Sequence, residues 1–498
     1  MGALDAPAWT REFIEFLGRI PQFVISLCSQ AARSTNGGTE PRSSWLAARL
    51  IERSRRQFDP FAPAPAKAFA AANASEELDV LLCITPKVPA VTARYGALSL
   101  QLGDRNIDPP YWGEVIARDP LSRMILLWQE NTFTPTRVVQ IAEVPTRLRL
   151  SFTWNADRCL LYAAQMVADT ALDIAYSGQK WLTRARSLPE AAKPPEPRRP
   201  TNLECAVFAA RAAFRSVTKP KAALRPKGWF CGLRRNPARF YHRLGYFDGS
   251  DFQDIPMPAG GQMADPFLVA DNGSDWLFFE EIPPRTQKGR INCVKIPKPG
   301  CPFPKPEVIL ECDTHLSYPC VFRHRGDYFM IPESCAAQDL RLYRATNFPH
   351  EWRLECLLLE DLPLTDTTPF FSDQHWYFFA TTMPPVQQTV LLTSRRLGDS
   401  LRLHPSSPVS CSWRNTRAAG HLFTKGGRLI RPTQDCVTSY GYGIQMNEVT
   451  QLSPTEYSER AHDYVGPSWR RGLLGTHTLS AVADLEVIDG LRYFPDTK

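Results

Sequence analysis

No apolar run in this 498-residue sequence is long enough to cross a membrane as a helix, which takes roughly 20 predominantly apolar residues. It has neither GxGxxG nor GxxxxGK[ST], the usual backbone cradles for dinucleotide and nucleotide phosphates, and no cofactor is expected. GxSxG is missing, so the common serine nucleophile elbow is unavailable. HExxH and related spacings are missing too, and no metal is expected. The 13 cysteines form no CxxC, and Cys28, Cys83 and Cys320 sit in apolar runs, where Cys acts as a small buried hydrophobe. A reducing compartment accounts for this usage. The opening MGALDAPAWTREFIEFL carries acidic residues and no continuous apolar core, so it does not read as a secretory signal. Ala6 stands where a myristoylation signal needs Ser or Thr. The expectation is a soluble cytoplasmic protein. The net charge of +7 is small for this length, and no Lys/Arg run interleaves with aromatics, so no nucleic-acid partner is expected.

What is present is a repeat. Ala264–Ile282 reads as strand, Asn272-Gly273 turn and second strand, the strongest short-range hairpin pattern. The plan returns at Ser317–Ser334, Thr365–Thr382 and Arg417–Asp435, and more weakly at Thr476–Gly490. The spacing of about 50 residues is that of β-propeller blades. Further strand-like runs follow each copy at Ile291–Ile296, Leu340–Ala345, Val390–Ser394 and Tyr442–Val449. Trp229–Leu233, upstream of the first copy, is placed to complete the blade begun at Thr476. The reading is an all-β five-bladed propeller over residues 228–498.

That geometry predicts a site. Inner strands start, and their antiparallel partners end, on one face of the disc. Asp265, Tyr318, Asp366, Arg417 and His477 mark the starts; Glu280, Glu281, Glu333, Arg431, Gln434 and Asp435 mark the ends. Together they predict a central funnel of carboxylates, arginines and aromatics, suited to a polyol, sugar nucleotide or phosphorylated sugar. For glycoside chemistry Asp265 is the expected base, Glu333 the acid and Asp366 a third carboxylate. Arg417 and Arg431 are expected to clamp an anionic group. Glu281, Tyr318, Gln434, Asp435 and His477 complete the expected ligand set. Mutual pairing of these charges is the competing reading.

Upstream, helical stripes at Trp9–Ile20 and Trp45–Phe58 alternate with apolar strands at Phe23–Cys28, Leu78–Ile84, Gly96–Leu102, Met124–Trp128 and Arg137–Ile141. One long helix is expected over Asn155–Arg186. This is an α/β layer pattern across residues 1–186. Residues 187–227, with KPPEPRRP and accumulated Arg and Lys, read as a charged spacer containing a short helix at Glu204–Arg215.

The pieces ADPFLV, LSYPCVF, MIPES, LYRATNFPHEW, DTTPFF, RAAG, LIRPTQDC, YG and THT resemble the propeller-like N-terminal domain of plant glucosamine inositolphosphorylceramide transferases and bacterial relatives. That fold is related to family 43 glycoside hydrolases. The resemblance implies a carbohydrate context, with glycosyl-transfer chemistry residing in a separate domain. In the hydrolases successive inner strands supply Asp, Asp and Glu. Asp265 matches the first, whereas Tyr318 holds the second place and Asp366 or Thr368 the third. Residues 1–186 resemble a degenerate formyltransferase, with Gln101 and Leu102 where that family carries its Asn and His. The expected function is binding of a sugar, sugar nucleotide or glycan headgroup in glycan or glycolipid synthesis or modification. The alternatives are formyl or acyl transfer to an amino sugar, and a non-catalytic scaffold for glycans or proteins. Oligomeric state is left open.

Overall fold

A computed structural model describes residues 79–83, 93–103, 112–147, 153–192, 201–217 and 227–494, the last with gaps at 236–246, 248, 258–259, 285, 287, 385 and 483. The expected helices Trp9–Ile20 and Trp45–Phe58 and the strand Phe23–Cys28 lie outside the described residues. The chain divides into two compact units, Met1–Lys219 and Pro220–Lys498. Among the described residues no helix is long and apolar enough to cross a membrane.

The first unit contains a four-stranded sheet in the order β1 (Leu81–Cys83), β2 (Ala97–Leu102), β3 (Leu121–Gln129), β4 (Arg137–Pro145). β1 and β2 run parallel and the other neighbours antiparallel. Along β3 burial alternates strictly, with Met124, Leu126 and Trp128 inward. That is the period-2 pattern of a sheet with one covered face. Its helices are α1 (Trp112–Ala117), α2 (Thr153–Ser177), α3 (Gln179–Ala185) and α4 (Asn202–Val217). α2 packs on β3 and β4. The single helix expected over Asn155–Arg186 is instead two. Gly178 separates α2 from α3 with a φ of 51°, a left-handed conformation that glycine adopts without a Cβ clash. α4, with Cys205 and Phe208 buried, packs with α1.

The second unit opens with β5 (Lys227–Arg234) and β6 (Gln253–Asp254), then builds sheets in succession. The first holds β7 (Gln262–Asp271), β8 (Ser274–Ile282), β9 (Arg290–Lys295) and β10 (Glu307–Leu310). The second holds β11 (Ser317–His324), β12 (Asp327–Glu333), β13 (Leu340–Asn347) and β14 (Glu351–Leu359). The third holds β15 (Leu364–Ser372), β16 (His375–Thr382), β17 (Thr389–Ser394) and β18 (Arg402–Leu403). In the fourth, β19 (Arg417–Ala418) and β20 (Phe423–Lys425) both pair with β21 (Arg428–Asp435). β22 (Gly443–Leu452) and β23 (Tyr457–Val465) follow in the same sheet. The fifth takes β24 (Leu479–Val482) and β25 (Leu485–Tyr493) from the end of the chain and β5 and β6 from the start of the unit.

Five sheets thus stand in a propeller-like ring, closed where β25 pairs with β5. Each junction between neighbours has its own apolar core. Phe267, Phe278 and Cys293 of the first sheet meet Cys320, Val321 and Met330 of the second. Cys231, Leu233 and Val487 of the fifth meet Met263, Leu268 and Leu277 of the first. Burying such side chains on both faces of every sheet stabilises the ring at about 25 cal/mol per Å² of apolar surface removed from water. The hairpin turns lie at one end of the sheets, and the open ends of the same hairpins converge near the ring axis.

Candidate functional site

The inner strands of the first three sheets share one irregularity. Pairing runs from Ala264 opposite Glu280 to Phe267 opposite Phe278, so Asp265 and Pro266 together face one residue. The same shift occurs between Ser317 and Cys320 and between Thr365 and Thr368. These are β-bulges, which bend the strand and re-aim its side chains. The first bulged residue is left-handed each time, with φ of 52° at Asp265, 44° at Tyr318 and 50° at Asp366. Such a conformation costs a non-glycine residue of order 1 kcal/mol or more. Pro266 and Pro319 follow two of them, and a residue without an N–H loses no ladder bond there.

At this convergence the carboxyl groups of Asp265, Glu280, Glu333, Asp366 and Asp489 are all buried. Arg417 lies among them, its Nε 2.8 Å from Asp366 Oδ2 and a terminal nitrogen 3.6 Å from Glu333 Oε2. Gln434 Nε2 donates to the Ala418 carbonyl at 2.9 Å and to Asp366 at 3.4 Å. His477 pairs through Nδ1 with Asp489, and its Nε2 lies 3.8 Å from Asp265 Oδ1. Trp229 stacks on the imidazole at 3.9 Å between centroids, the two rings nearly parallel at 13°. Tyr440 lies over the Arg417 guanidinium at 5.1 Å and edge-on to His477 at 5.6 Å. Tyr440 as a residue is 52% exposed, so it borders solvent at the edge of an otherwise buried cluster. The charged groups expected around a central funnel are packed against one another beneath aromatic rings.

Some of these acids also hold the ring together. Asp489 accepts the backbone N–H groups of His477 and Thr478 through Oδ1 and that of Asp265 through Oδ2. Asp265 in turn accepts the Tyr318 N–H at 3.2 Å and the Thr478 hydroxyl at 3.0 Å. Each carboxylate satisfies a donor from the next sheet's bulge, a group that is costly to bury unpaired. Asp265, His477 and Asp489 bring donor atoms within 4.8 Å of one another, as a metal would require. Asp489 already accepts three N–H groups and the imidazole, so its lone pairs are engaged within the protein.

The electrostatics set the proton inventory. Burial pushes Glu280 well above the usual carboxylate range, and Asp265, Glu333, Asp366 and Asp489 push it further. Its Oε1 makes no hydrogen bond and lies 3.2 Å from His315 Nε2. Burial also raises Asp366 strongly, outweighing Arg417, and raises Asp265 against the opposing pull of His477. For His477 burial acts downward, but Asp489 and Asp265 more than offset it and the imidazole is raised. The site therefore favours the protonated form of these carboxyl groups more than water does.

Other expected residues are placed elsewhere. Arg431 is buried against Glu459 at 2.6 Å, on the face of β21, with its guanidinium over Phe379. It lies three residues before Gln434, about 10 Å along a strand, too far from the axis to join Arg417 in a clamp. Glu281 pairs with Arg290 at 2.9 Å and Asn292 at 2.8 Å across β9. Asp435 caps the Val437 N–H and lies 3.7 Å from Arg414. The Tyr318 ring is wholly buried between sheets, its hydroxyl 2.8 Å from Thr368 Oγ1 and accepting the Gly420 N–H at 2.9 Å. It is a structural tie, not a ligand contact. Residue-level reasoning overlooked Asp489, Trp229 and Tyr440. Asp489 had a usable signal: it ends the fifth repeat copy as Glu280 and Glu333 end the first and second.

The resemblance read from the sequence is borne out for the second unit. Residues 250–469 match the family described as glucosamine inositolphosphorylceramide transferase 1, N-terminal. The chain is 34% identical over 204 residues to glucosamine inositolphosphorylceramide transferase 1 of Oryza sativa subsp. indica, covering 40% of this chain and 27% of that protein. Its counterpart from Arabidopsis thaliana is 33% identical over 205 residues. The chain therefore spans about a quarter of the length of these curated relatives. Among solved structures, a family 117 glycoside hydrolase from Zobellia galactanivorans aligns with a TM-score of 0.34 at 11% identity, over 47% of this chain and 85% of its own. An α-L-arabinanase from Cellvibrio cellulosa aligns with a TM-score of 0.31 at 9% identity, over 40% of this chain and 77% of its own.

Proposed function

We propose that the second unit is a five-bladed propeller that binds a sugar or glycan headgroup at the buried carboxyl cluster, and that Glu280 supplies the proton of an acid–base step there. The observation carrying this reading is the charge inventory: five buried carboxyl groups surround Arg417 and His477, and Glu280 pairs with neither of them, its Oε1 facing only His315 Nε2 at 3.2 Å. A carboxyl group whose pKa is raised by its surroundings is what glycosyl chemistry requires of its acid. This moves the acid from Glu333, whose carboxylate faces Arg417, to Glu280. Tyr440 and Trp229 add aromatic surface of the kind on which the apolar face of a sugar ring rests. The similarity of residues 250–469 to a transferase whose name specifies a glycosylated inositolphosphorylceramide supports a glycan or glycolipid context.

The test is thermal stabilisation by sugar nucleotides, amino sugars and phosphosugars, since a ligand that binds the folded state raises its apparent stability. A ligand that stabilises the wild type is expected to lose its effect on Tyr440→Ala. It should keep its effect on Glu280→Gln, which retains shape and removes the transferable proton, while turnover of that ligand disappears. Undiminished turnover by Glu280→Gln would refute the assignment.

A further inference from the structure

At the opposite end of the same hairpins, the second and third sheets enclose a cleft of about 300 Å³, at the lower end of the range for small-molecule sites. Its floor is aromatic: His324 meets Phe371 edge-on at 5.2 Å and Trp376 at 4.9 Å, and Phe371 lies 5.1 Å from Trp376. Its rim carries three exposed arginines: Arg325 in the β11–β12 turn, and Arg395 and Arg396 just after β17. The acids lining the same cleft are already neutralised. Asp327 pairs with Arg344 at 2.7 Å, and Glu355 with Arg353 at 3.1 Å. No carboxylate among the described residues lies within ion-pair distance of Arg325, Arg395 or Arg396, so the rim keeps its positive charge.

A second observation comes from the turns. Three hairpins make the tight turn with both central residues left-handed, and each has glycine second: Asn272-Gly273, Arg325-Gly326 and Gly426-Gly427. The third sheet makes it with Asp373 at 49° and Gln374 at 61°. Nothing stands within 4 Å of a Cβ added at Gly273, Gly326 or Gly427, so the geometry itself favours glycine at this position without demanding space. Gln374 lines the cleft. Strain of this kind persists where a side chain has work to do.

We propose that this cleft binds a phosphate ester carried on a sugar or cyclic polyol. The guanidinium groups take the phosphate through paired N–H donors, the Gln374 amide takes a ring hydroxyl, and the ring rests on the Phe371–Trp376 floor. The volume suits one ring and its phosphate. The proposal is independent of the chemistry assigned to the central cluster.

Isothermal titration of the full chain with glucose 6-phosphate tests it, with glucose and inorganic phosphate as controls. The ester should bind at least about tenfold more tightly than either control, because each supplies only half of the recognition. Arg395→Ala/Arg396→Ala, a change at two exposed positions, should weaken the ester about tenfold or more. Gln374→Gly should weaken it while raising the melting temperature, a combination that a merely structural turn does not produce. Tyr440→Ala should leave this affinity intact. Binding that survives the arginine double variant and Gln374→Gly, or that is lost only in Tyr440→Ala, overturns the proposal, as does equal affinity for inorganic phosphate. Sedimentation with phosphatidylinositol 4-phosphate vesicles but not phosphatidylcholine vesicles, abolished in the double variant, would identify the ester as a lipid headgroup. Binding of the soluble ester without sedimentation would identify a free sugar phosphate.

Discussion

Glu280 shows how a single carboxyl group ties stability to function in the second unit. Its folded pKa stands well above the ordinary 4.5, through burial first and neighbouring carboxylates second. The folded chain therefore holds this proton more tightly than the unfolded chain does. The associated stability is complete below pH 4.5 and is lost as pH rises through the raised value, the reverse of a salt-bridged acid. His477, raised above 6.5, acts in the same direction: its contribution is full below that pH and fades on the alkaline side. Glu280→Gln carries a neutral amide at every pH. Its melting temperature should exceed that of the wild type at pH 8 and converge on it as pH falls toward 4.5. A variant that is the less stable of the two at pH 8 would show that Glu280 is ionised in the fold. Tyr318 makes a different kind of contribution. Tyr318→Phe leaves the buried Gly420 N–H without its acceptor, and denaturant unfolding should register a loss of about 1–3 kcal/mol.

Among the connecting elements, the loop between β21 and β22 does most to set access to the cluster. Gly441 adopts a φ of 60°, and a Cβ there would stand 2.9 Å from His477 Cδ2 and 3.0 Å from Trp229 Cη2. Its carbonyl accepts the Thr476 N–H at 2.9 Å, which fastens the loop to the segment before β24 that carries His477. Gly441→Ala therefore strains the backbone and pushes the loop, with Tyr440, off the imidazole–indole stack. A loss of about 1–3 kcal/mol is expected in thermal or chemical unfolding. Unchanged stability would mean that the loop is not held down as described. The three bulges act at the same scale, since they turn strand ends that would otherwise alternate across a sheet toward the ring axis.

At the scale of the molecule, closure rests on the pairing of β25 with β5, strands more than 250 residues apart in sequence. Arg234 and Glu486 form a fully buried ion pair across that seam. Arg234→Met would remove this guanidinium from the buried Glu486 carboxylate. Removing one partner of such a pair costs about 3–5 kcal/mol. Urea unfolding should show that loss, and replacing both residues by apolar ones of similar volume should recover most of it. A single variant as stable as the wild type would place the strength of the closure in the β5–β25 ladder and the Cys231–Val487 core alone.

Periodicity was enough to read the repeat, its five copies, and the use of Trp229–Leu233 to finish the last sheet. Asn272-Gly273 and the alternating apolar runs are local patterns, and each hairpin turn follows from its own few residues. Position at a strand end was likewise enough to bring Asp265, Glu280, Glu333, Asp366, Arg417 and His477 into one group. Which of those ends meet a ligand and which meet each other depends on contacts between residues 50 to 250 positions apart. Arg431 went to Glu459, and Glu281 to Arg290, because strand alternation and a few ångströms along a sheet outweigh nearness in sequence. Asp489 entered the cluster through a weak repeat copy, and Tyr440 through a loop with no periodic pattern. The cleft between the second and third sheets has no linear signature, because its arginines come from two separate turns and its aromatics from three different strands. Local patterns specify strands and turns through short-range sterics and alternation; the burial that raises a carboxyl pKa, or leaves an arginine without a counterion, exists only once all five sheets are packed.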